Sequence, residues 1–346
     1  MTPRERWQAV LERRTPDRVP MDIWITDEAI EKVLRYLGCD AETGLARLHI
    51  DLPRTIEPAY IGPDMGKADY WGIESRPADY GTGVYMEAAT HPLAEYQSVE
   101  EIEANYTWPS PDWFDYSVLP GQVRGNEHRP IRGGGSEPFL VYKDLRGDQQ
   151  AFMDLLANPD IVRYCLDKMF GFLYEWTRRI FETVPGQVML TYVAEDLGAQ
   201  DGLMYSPEQI RTFLLPGMRR MAELTRQHGS HVFFHSDGAI RGILPDMLDI
   251  VGIEVLNPVQ WRCPGMERER LKRDFGERLV FHGGVDNQQT LPFGTPADVR
   301  EEVAENLRIL GAGGGYILAP CHNIQAVSPP ENVVALYEAG YELGWC

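Results

Sequence analysis

Short apolar runs alternate with longer segments of helical pattern along most of the chain. Several runs are apolar on both faces, as in strands that helices cover on either side. Residues 23–27, at the end of the first run, contain no glycine and so lack the phosphate-binding turn of doubly wound sheets. Eight runs in 346 residues therefore predict an α/β fold, a TIM-type (β/α)8 barrel. The predicted strands are residues 19–25, 48–56, 139–143, 188–193, 231–235, 254–260, 279–284 and 316–320.

Residues 57–137 interrupt this alternation. They are rich in Tyr, Trp, Pro, Gly and acidic residues, and a segment of this length between two early strands predicts an insertion with structure of its own, such as a lid. The glycine run 133–135 at its end is interpreted as a flexible turn before a strand. No linker divides the chain, so residues 1–346 are predicted to form a single barrel domain that carries this insertion.

Helix starts can be located in the second half of the chain. Ser206, Thr295 and Ser328 each precede a proline and are followed three residues later by Gln, Asp or Glu. A hydroxyl side chain at the N-cap accepts a free backbone amide, and proline suits the first helical position. The pattern predicts three helices that begin directly after these residues.

Charge and cysteine content narrow the functional class. The 52 acidic and 33 basic residues give a net charge of −19, which disfavours binding to nucleic acid or to an anionic membrane surface. No apolar run approaches the roughly 20 residues of a membrane span, and the N-terminal residues do not resemble a signal peptide. Five scattered cysteines do not form a disulfide framework. These features predict a cytoplasmic enzyme.

Candidate metal ligands follow two of the predicted strands. His235 and Asp237 are two residues apart at a strand end, so their side chains point to the same face in extended chain. Cys321 follows the last predicted strand. Because a barrel gathers the C-terminal ends of its strands at one mouth, these three side chains are expected to meet there. Three protein ligands with an open position are typical of catalytic zinc; the alternative is a hydrogen-bonded pair beside an inert buried thiol.

Further polar residues are expected at the same mouth. Glu195 and Asp196 follow the strand at 188–193, where adjacent acids raise one another's pKa and supply a general acid or a metal contact. One of them is alternatively a cap for neighbouring amides. Asp286, Asn323 and Gln325 belong to strand-end loops and are the candidate substrate-binding residues.

The chain resembles the uroporphyrinogen decarboxylase superfamily over nearly its whole length. This resemblance implies a TIM barrel with its active site at the C-terminal mouth. The segments that carry it are residues 2–6 (TPRER), 16–20 (PDRVP), 195–198 (EDLG), the strand around His235, 257–260 (NPVQ), 271–276 (LKRDFG), 283–286 (GGVD), 291–296 (LPFGTP) and 320–325 (PCHNIQ).

Two branches of the superfamily differ in the residues after the first strand. True uroporphyrinogen decarboxylases carry an arginine-rich segment there, which grips the carboxylates of the substrate. Residues 21–28 contain three acids and no arginine, and arginine is the natural carboxylate clamp. The chain is more similar to the cobamide-dependent methyltransferases, whose members that act on thiols bind zinc through His-x-Cys and a second Cys near the last strand. Asp237 replaces the first of these cysteines.

The resemblance implies a methyltransferase that moves a methyl group between a methylcorrinoid protein and a small acceptor, tetrahydrofolate or a thiol, as in O- or N-demethylation. Zinc is the expected cofactor, with His235, Asp237 and Cys321 as ligands. Asp237 serves either as a ligand or, with Glu195 and Asp196, as an acid or base. A homodimer is compatible with this picture. The alternatives are a decarboxylase or lyase of a smaller carboxylic acid, and a corrinoid- or tetrapyrrole-binding protein without metal chemistry.

Overall fold

The computed structural model describes residues 1–81 and 83–346, and a parallel sheet forms its centre. The strands in chain order are β1 (Arg54–Ile56), β2 (Ala59–Tyr60), β3 (Ser75–Asp79), β4 (Val84–Ala88), β5 (Phe114–Asp115), β6 (Ile131–Ser136), β7 (Leu190–Ala194), β8 (His231–His235), β9 (Val255–Asn257), β10 (Val280–Val285) and β11 (Tyr316–Pro320). The central sheet has the order β1-β6-β7-β8-β9-β10-β11, and its neighbouring strands are parallel. Strands β2 and β5, and β3 and β4, form two short antiparallel pairs.

Residues 20–25 close this sheet into a barrel. Met21 forms a parallel bridge with Leu318 of β11, and Ile25 forms one with Ile324. On the other side, the Asp51 amide, shortly before β1, donates a hydrogen bond of 2.7 Å to the Met21 carbonyl. The segment therefore takes the eighth strand position, between β11 and β1, which confirms the predicted barrel.

Helices surround the sheet: α8 packs on β6, α10 on β7 and β8, and α14 on β10 and β11. Within the described residues, none of the helices has the length together with the apolar character that crossing a membrane requires. The helices are α1 (Pro3–Leu11), α2 (Asp27–Leu37), α3 (Ala41–Arg47), α4 (Val99–Asn105), α5 (Leu119–Val123), α6 (Pro138–Arg146), α7 (Asp148–Ala157), α8 (Pro159–Thr183), α9 (Pro207–Gln209), α10 (Leu215–Gln227), α11 (Leu244–Asp246), α12 (Arg268–Phe275), α13 (Thr290–Phe293), α14 (Pro296–Ile309) and α15 (Pro330–Leu343).

Helix α1 fills the N-terminal end of the barrel. Trp7 and Val10 belong to a buried cluster with Leu190, Val255 and Val280, which lie at the first positions of β7, β9 and β10. Burial of such apolar surface is the main stabilising contribution in a core of this kind. Because α1 closes this end, the C-terminal end of the strands is the one left for a site.

The third barrel strand differs from its prediction. Residues 139–143 lie in α6, so the predicted strand there is wrong: Pro138 starts a helix, as proline does at a first helical position. The strand is β6, and it contains the glycine run that the pattern predicted to be a turn. Gly135 has φ 128°, and a Cβ at this position would collide with the Tyr192 carbonyl oxygen of β7. Glycine thus allows an irregular, close pairing between the two strands.

Two of the three predicted helix caps are confirmed. Ser206 and Thr295 form capping boxes at the start of α9 and α14. Ser328 does not cap α15, which begins at Pro330 with Pro329 as its N-cap. The second proline takes the first helical position, and it holds the preceding residue in an extended conformation.

The segment at 57–137 packs against α8 and ends at β6. Trp71 and Phe114 place their rings 5.2 and 6.0 Å from Phe172 of α8, so its aromatic residues serve packing. The hydroxyl of Tyr85 in β4 accepts a hydrogen bond of 2.9 Å from the Gln325 side chain. The β3–β4 pair therefore contacts the loop that follows β11; a lid function for the segment stays a prediction.

Candidate active site

Three side chains converge where β7 and β8 end, and we call them the Asp–His–Asp cluster: Asp196, His235 and Asp237. One ligand atom from each lies within 4.8 Å of the other two. His235 Nε2 is 3.7 Å from Asp196 Oδ1, and the Asp237 amide donates to the same oxygen at 3.2 Å. The structure thus brings together the predicted pair His235 and Asp237, and adds Asp196 to them.

A buried hydrogen-bond chain orients the imidazole of this cluster. His235 Nδ1 lies 2.6 Å from Asn257 Oδ1, Asn257 Nδ2 lies 2.6 Å from His282 Nδ1, and His282 Nε2 lies 3.0 Å from Asp22 Oδ2. An amide oxygen only accepts and an amide nitrogen only donates. Therefore His282 donates to Asp22, Asn257 donates to His282, and His235 Nδ1 donates to Asn257. Neutral His235 then carries its free lone pair on Nε2, which faces Asp196.

Two carboxyl groups at this mouth, Asp237 of the cluster and Glu137, have pKa values near neutrality. Burial raises the pKa of Asp237 to about 6, with His235 opposing the shift and the charge of Asp196 adding to it. Burial, with the charge of Asp196 as the second cause, raises the pKa of Glu137 to about 7. Glu137 directly follows β6, as Asp196 follows β7. Sequence reasoning missed Glu137 because the third strand was predicted at residues 139–143, after Glu137, whereas β6 ends just before it.

Glu195, a predicted catalytic residue, is bonded to the backbone at the mouth of the barrel. Its Oε1 accepts a hydrogen bond of 2.6 Å from the Phe139 amide in the first turn of α6. The side chain is buried, and burial raises its pKa well above the usual range. This arrangement corresponds to the alternative of a carboxyl that caps neighbouring amides.

Cys321 is buried, and its Sγ donates a hydrogen bond of 3.0 Å to the Val259 carbonyl. Burial raises the pKa of this thiol well above its usual range. The next residue approaches the cluster instead, since His322 Nε2 lies 3.7 Å from Asp237 Oδ2. Successive side chains in extended chain point to opposite faces. Cys321 is accordingly not in the group of ligand atoms that meet at Asp196, His235 and Asp237.

The three predicted substrate-binding residues occupy different places. The Asp286 carboxylate accepts the amides of residues 288–290 and pairs with Arg262 at 2.7 Å, so it fixes its own loop. Gln325 bonds to the β3–β4 pair. Asn323 lines a cavity at the barrel mouth.

This cavity has a volume of about 500 Å³, and two of its lining side chains contact the cluster. Trp24 and Tyr192 line it, and their rings lie 5.4 and 5.6 Å from the imidazole of His235. Arg132 of β6 and Trp176 of α8 also line the cavity. Its size is that of sites for small organic molecules.

Known proteins resemble this chain at the level of both sequence and fold. The uroporphyrinogen decarboxylases of Pseudomonas aeruginosa (strain LESB58) and Chromohalobacter salexigens are 26% and 25% identical to it, with 98% of this chain and 97% of each relative covered. A methyltransferase from Methanosarcina mazei shares the fold with a TM-score of 0.68, at 20% identity and with 99% of both chains covered.

The family assignment rests on a family model of uroporphyrinogen decarboxylase (URO-D), which matches residues 124–343. This region holds β6 to β11 and the Asp–His–Asp cluster, so the match includes most of the barrel and the candidate site. The resemblance noted in the sequence motifs is thereby confirmed: the chain belongs to the uroporphyrinogen decarboxylase family.

Proposed function

We propose that this protein is a methyltransferase that moves a methyl group between a methylcorrinoid protein and a small acceptor. The observation that carries the proposal is the Asp–His–Asp cluster, whose ligand atoms lie within 4.8 Å of one another at the barrel mouth. The lack of an arginine-rich segment at residues 21–28 and the fold shared with a Methanosarcina mazei methyltransferase support this reaction class.

The cluster suits a divalent metal ion, which we propose to be zinc. One imidazole nitrogen and two carboxylate oxygens are zinc ligands, and three protein ligands leave a position for the acceptor. Among the described residues, the ion-pair partners of Asp196 and Asp237 are histidines, and neither has an arginine or lysine. A cation would balance their charge. Cys321 is outside this ligand set because its Sγ bonds to the Val259 carbonyl.

A bound zinc ion would polarise the acceptor and lower the pKa of the group that takes the methyl. The protein's own residues prepare the site for this. The buried hydrogen-bond chain keeps the Nε2 lone pair of His235 free, while Trp24 and Tyr192 cover its ring. Glu137, with a pKa of about 7, is suited to exchange a proton with the acceptor at neutral pH. Carboxylate ligands are harder than thiolates, which favours tetrahydrofolate over a thiol.

Metal analysis and a methyl-transfer assay test this function. We expect purified protein to hold about one zinc ion per chain and to demethylate methylcobalamin, followed by its absorbance, when tetrahydrofolate or a thiol is supplied. Asp196→Asn should lose both properties, whereas Cys321→Ser should keep both. Demethylation absent under all these conditions, or zinc lost only in the Cys321 variant, would contradict the proposal.

A carboxy-lyase that acts on a small carboxylic acid is the second candidate. Glu137 and Asp237, with pKa values of about 7 and about 6, are suited to protonate the carbanion that decarboxylation leaves. Uroporphyrinogen itself is disfavoured, because Arg132 is the one basic residue in the described cavity lining. Release of carbon dioxide from a panel of acids, without demethylation of methylcobalamin, would favour this candidate.

The buried hydrogen-bond chain provides a separate prediction. Asn257→Leu keeps the approximate side-chain volume but removes the partner of both His235 and His282. We expect zinc affinity, measured by competition with a chelator, to fall by about 10–100-fold, as for other partners of metal-binding histidines. Asn306→Leu is the control: this asparagine is equally buried but bonds to Arg268 and the Gly284 carbonyl. Equal affinity losses in both folded variants would argue against an orienting role for Asn257.

A further inference from the structure

Arg132 is a charged side chain that has no charged partner among residues 1–81 and 83–346. It lies on β6, half-buried, and its Nε donates a hydrogen bond of 3.1 Å to the Thr55 hydroxyl. No ion pair with a carboxylate is formed by this guanidinium in the described part of the chain. Its two terminal nitrogens form no hydrogen bond with the described residues and can donate to a ligand. The side chain lines the cavity at the barrel mouth.

The other charged groups of this cavity are either engaged or peripheral. Asp22 is buried, and its carboxylate already accepts hydrogen bonds from the Ile23 amide, the Trp24 indole and His282. Glu57 is exposed to solvent. Arg132 is therefore the positively charged group among the described lining residues, and it faces the same cavity as the engaged Asp22 and the solvent-exposed Glu57.

Aromatic rings define the shape of the space next to this charge. Trp24, Trp176 and Tyr192 line the cavity, and planar apolar groups pack well against such rings. A ligand with an anionic group for Arg132 and a planar body for these rings would complement the cavity.

We propose that this cavity binds a small planar carboxylate, with its carboxylate on Arg132 and its body against Trp24 and Tyr192. Arginine binds carboxylates through two parallel hydrogen bonds, which fix the orientation of the ligand. The rings of Trp24 and Tyr192 also pack on His235, so these two side chains connect the proposed binding cavity with the Asp–His–Asp cluster. The inference rests on the proposed function, because it names a class of small molecule that the same site would bind.

Calorimetric titration with benzoate and benzamide tests the inference without any methyl transfer. The two probes share a planar body and differ in charge. We expect the wild-type protein to bind benzoate at least about tenfold more tightly than benzamide, as for other hydrogen bonds to charged groups. Arg132→Gln should lose this preference. Arg54→Gln, which removes an exposed arginine from neighbouring β1, should retain it.

Equal affinity of the wild-type protein for both probes, or no saturable binding of benzoate, would overturn the inference; so would an unchanged preference in Arg132→Gln. If this variant does not fold, the comparison of the two probes on the wild-type protein still decides. Benzoate preference in a protein that never demethylates methylcobalamin supports the inference and contradicts the methyltransferase proposal. Demethylation of methylcobalamin by a protein without benzoate preference supports the methyltransferase proposal and contradicts the inference.

Discussion

Replacing His235 with glutamine is expected to remove the bound zinc and to lower the rate of methyl transfer by at least about 100-fold, more than the loss of an outer partner of a ligand. Glutamine has similar length but cannot supply an imidazole lone pair. The buried hydrogen-bond chain directs that lone pair, on Nε2, toward Asp196 at 3.7 Å. Without it, two carboxylates remain, too few to hold zinc firmly in a site with an open position.

His231→Gln is the matched control for this experiment. His231 begins β8, the strand that His235 ends, and its Nδ1 lies 2.5 Å from Glu254 Oε2 at the opposite end of the barrel. Zinc content and the rate of methylcobalamin demethylation should match those of the wild-type protein. If His235→Gln retains its zinc, or if the two variants lose zinc alike, the metal is not held by the Asp–His–Asp cluster.

The alternation of short apolar runs with longer amphipathic segments was sufficient to predict the barrel, because strands covered on both faces form continuous apolar runs. It failed at the third strand. There, β6 carries three successive glycines and Arg132, which reduce its apolar character, while the Phe-Leu-Val run of α6 mimics a buried strand. What makes β6 a strand is its pairing with β1 and β7, and such non-local pairing leaves little trace in local composition.

The site could be predicted in part for a similar reason. His235 and Asp237 share a strand end, so local geometry places them on one face. The direction of Cys321 depends on how the chain leaves β11, where its amide bonds to the Val285 carbonyl and its Sγ to Val259. The contact of Asp22 with His282 joins residues 260 positions apart, and no spacing rule reveals such a partner.

Asp51→Ala is expected to lower the free energy of unfolding by about 3–5 kcal/mol, the usual cost of removing one partner from a buried ion pair. Asp51 is 1% exposed, and its carboxylate accepts hydrogen bonds from Arg6 at 2.5 Å, from Arg18 at 2.8 Å and from the Met21 amide at 3.0 Å. Alanine would leave the buried guanidinium groups of Arg6 and Arg18 without the carboxylate that balances their positive charge. Urea unfolding followed by circular dichroism measures the change.

Glu223→Ala is the control, because Glu223 forms an exposed pair with Arg219 on α10, and such pairs contribute about 0–1 kcal/mol. A loss of similar size in both variants would show that Asp51 does not stabilise the barrel through its buried charge.

The buried ion pairs of Asp51 also affect the candidate site. Asp51 bonds to Met21 through both its amide and its carboxylate, and the residues that follow Met21 supply Asp22 and Trp24. The ion pairs at the closed end of the barrel therefore hold the strand that orients His235 at the open end.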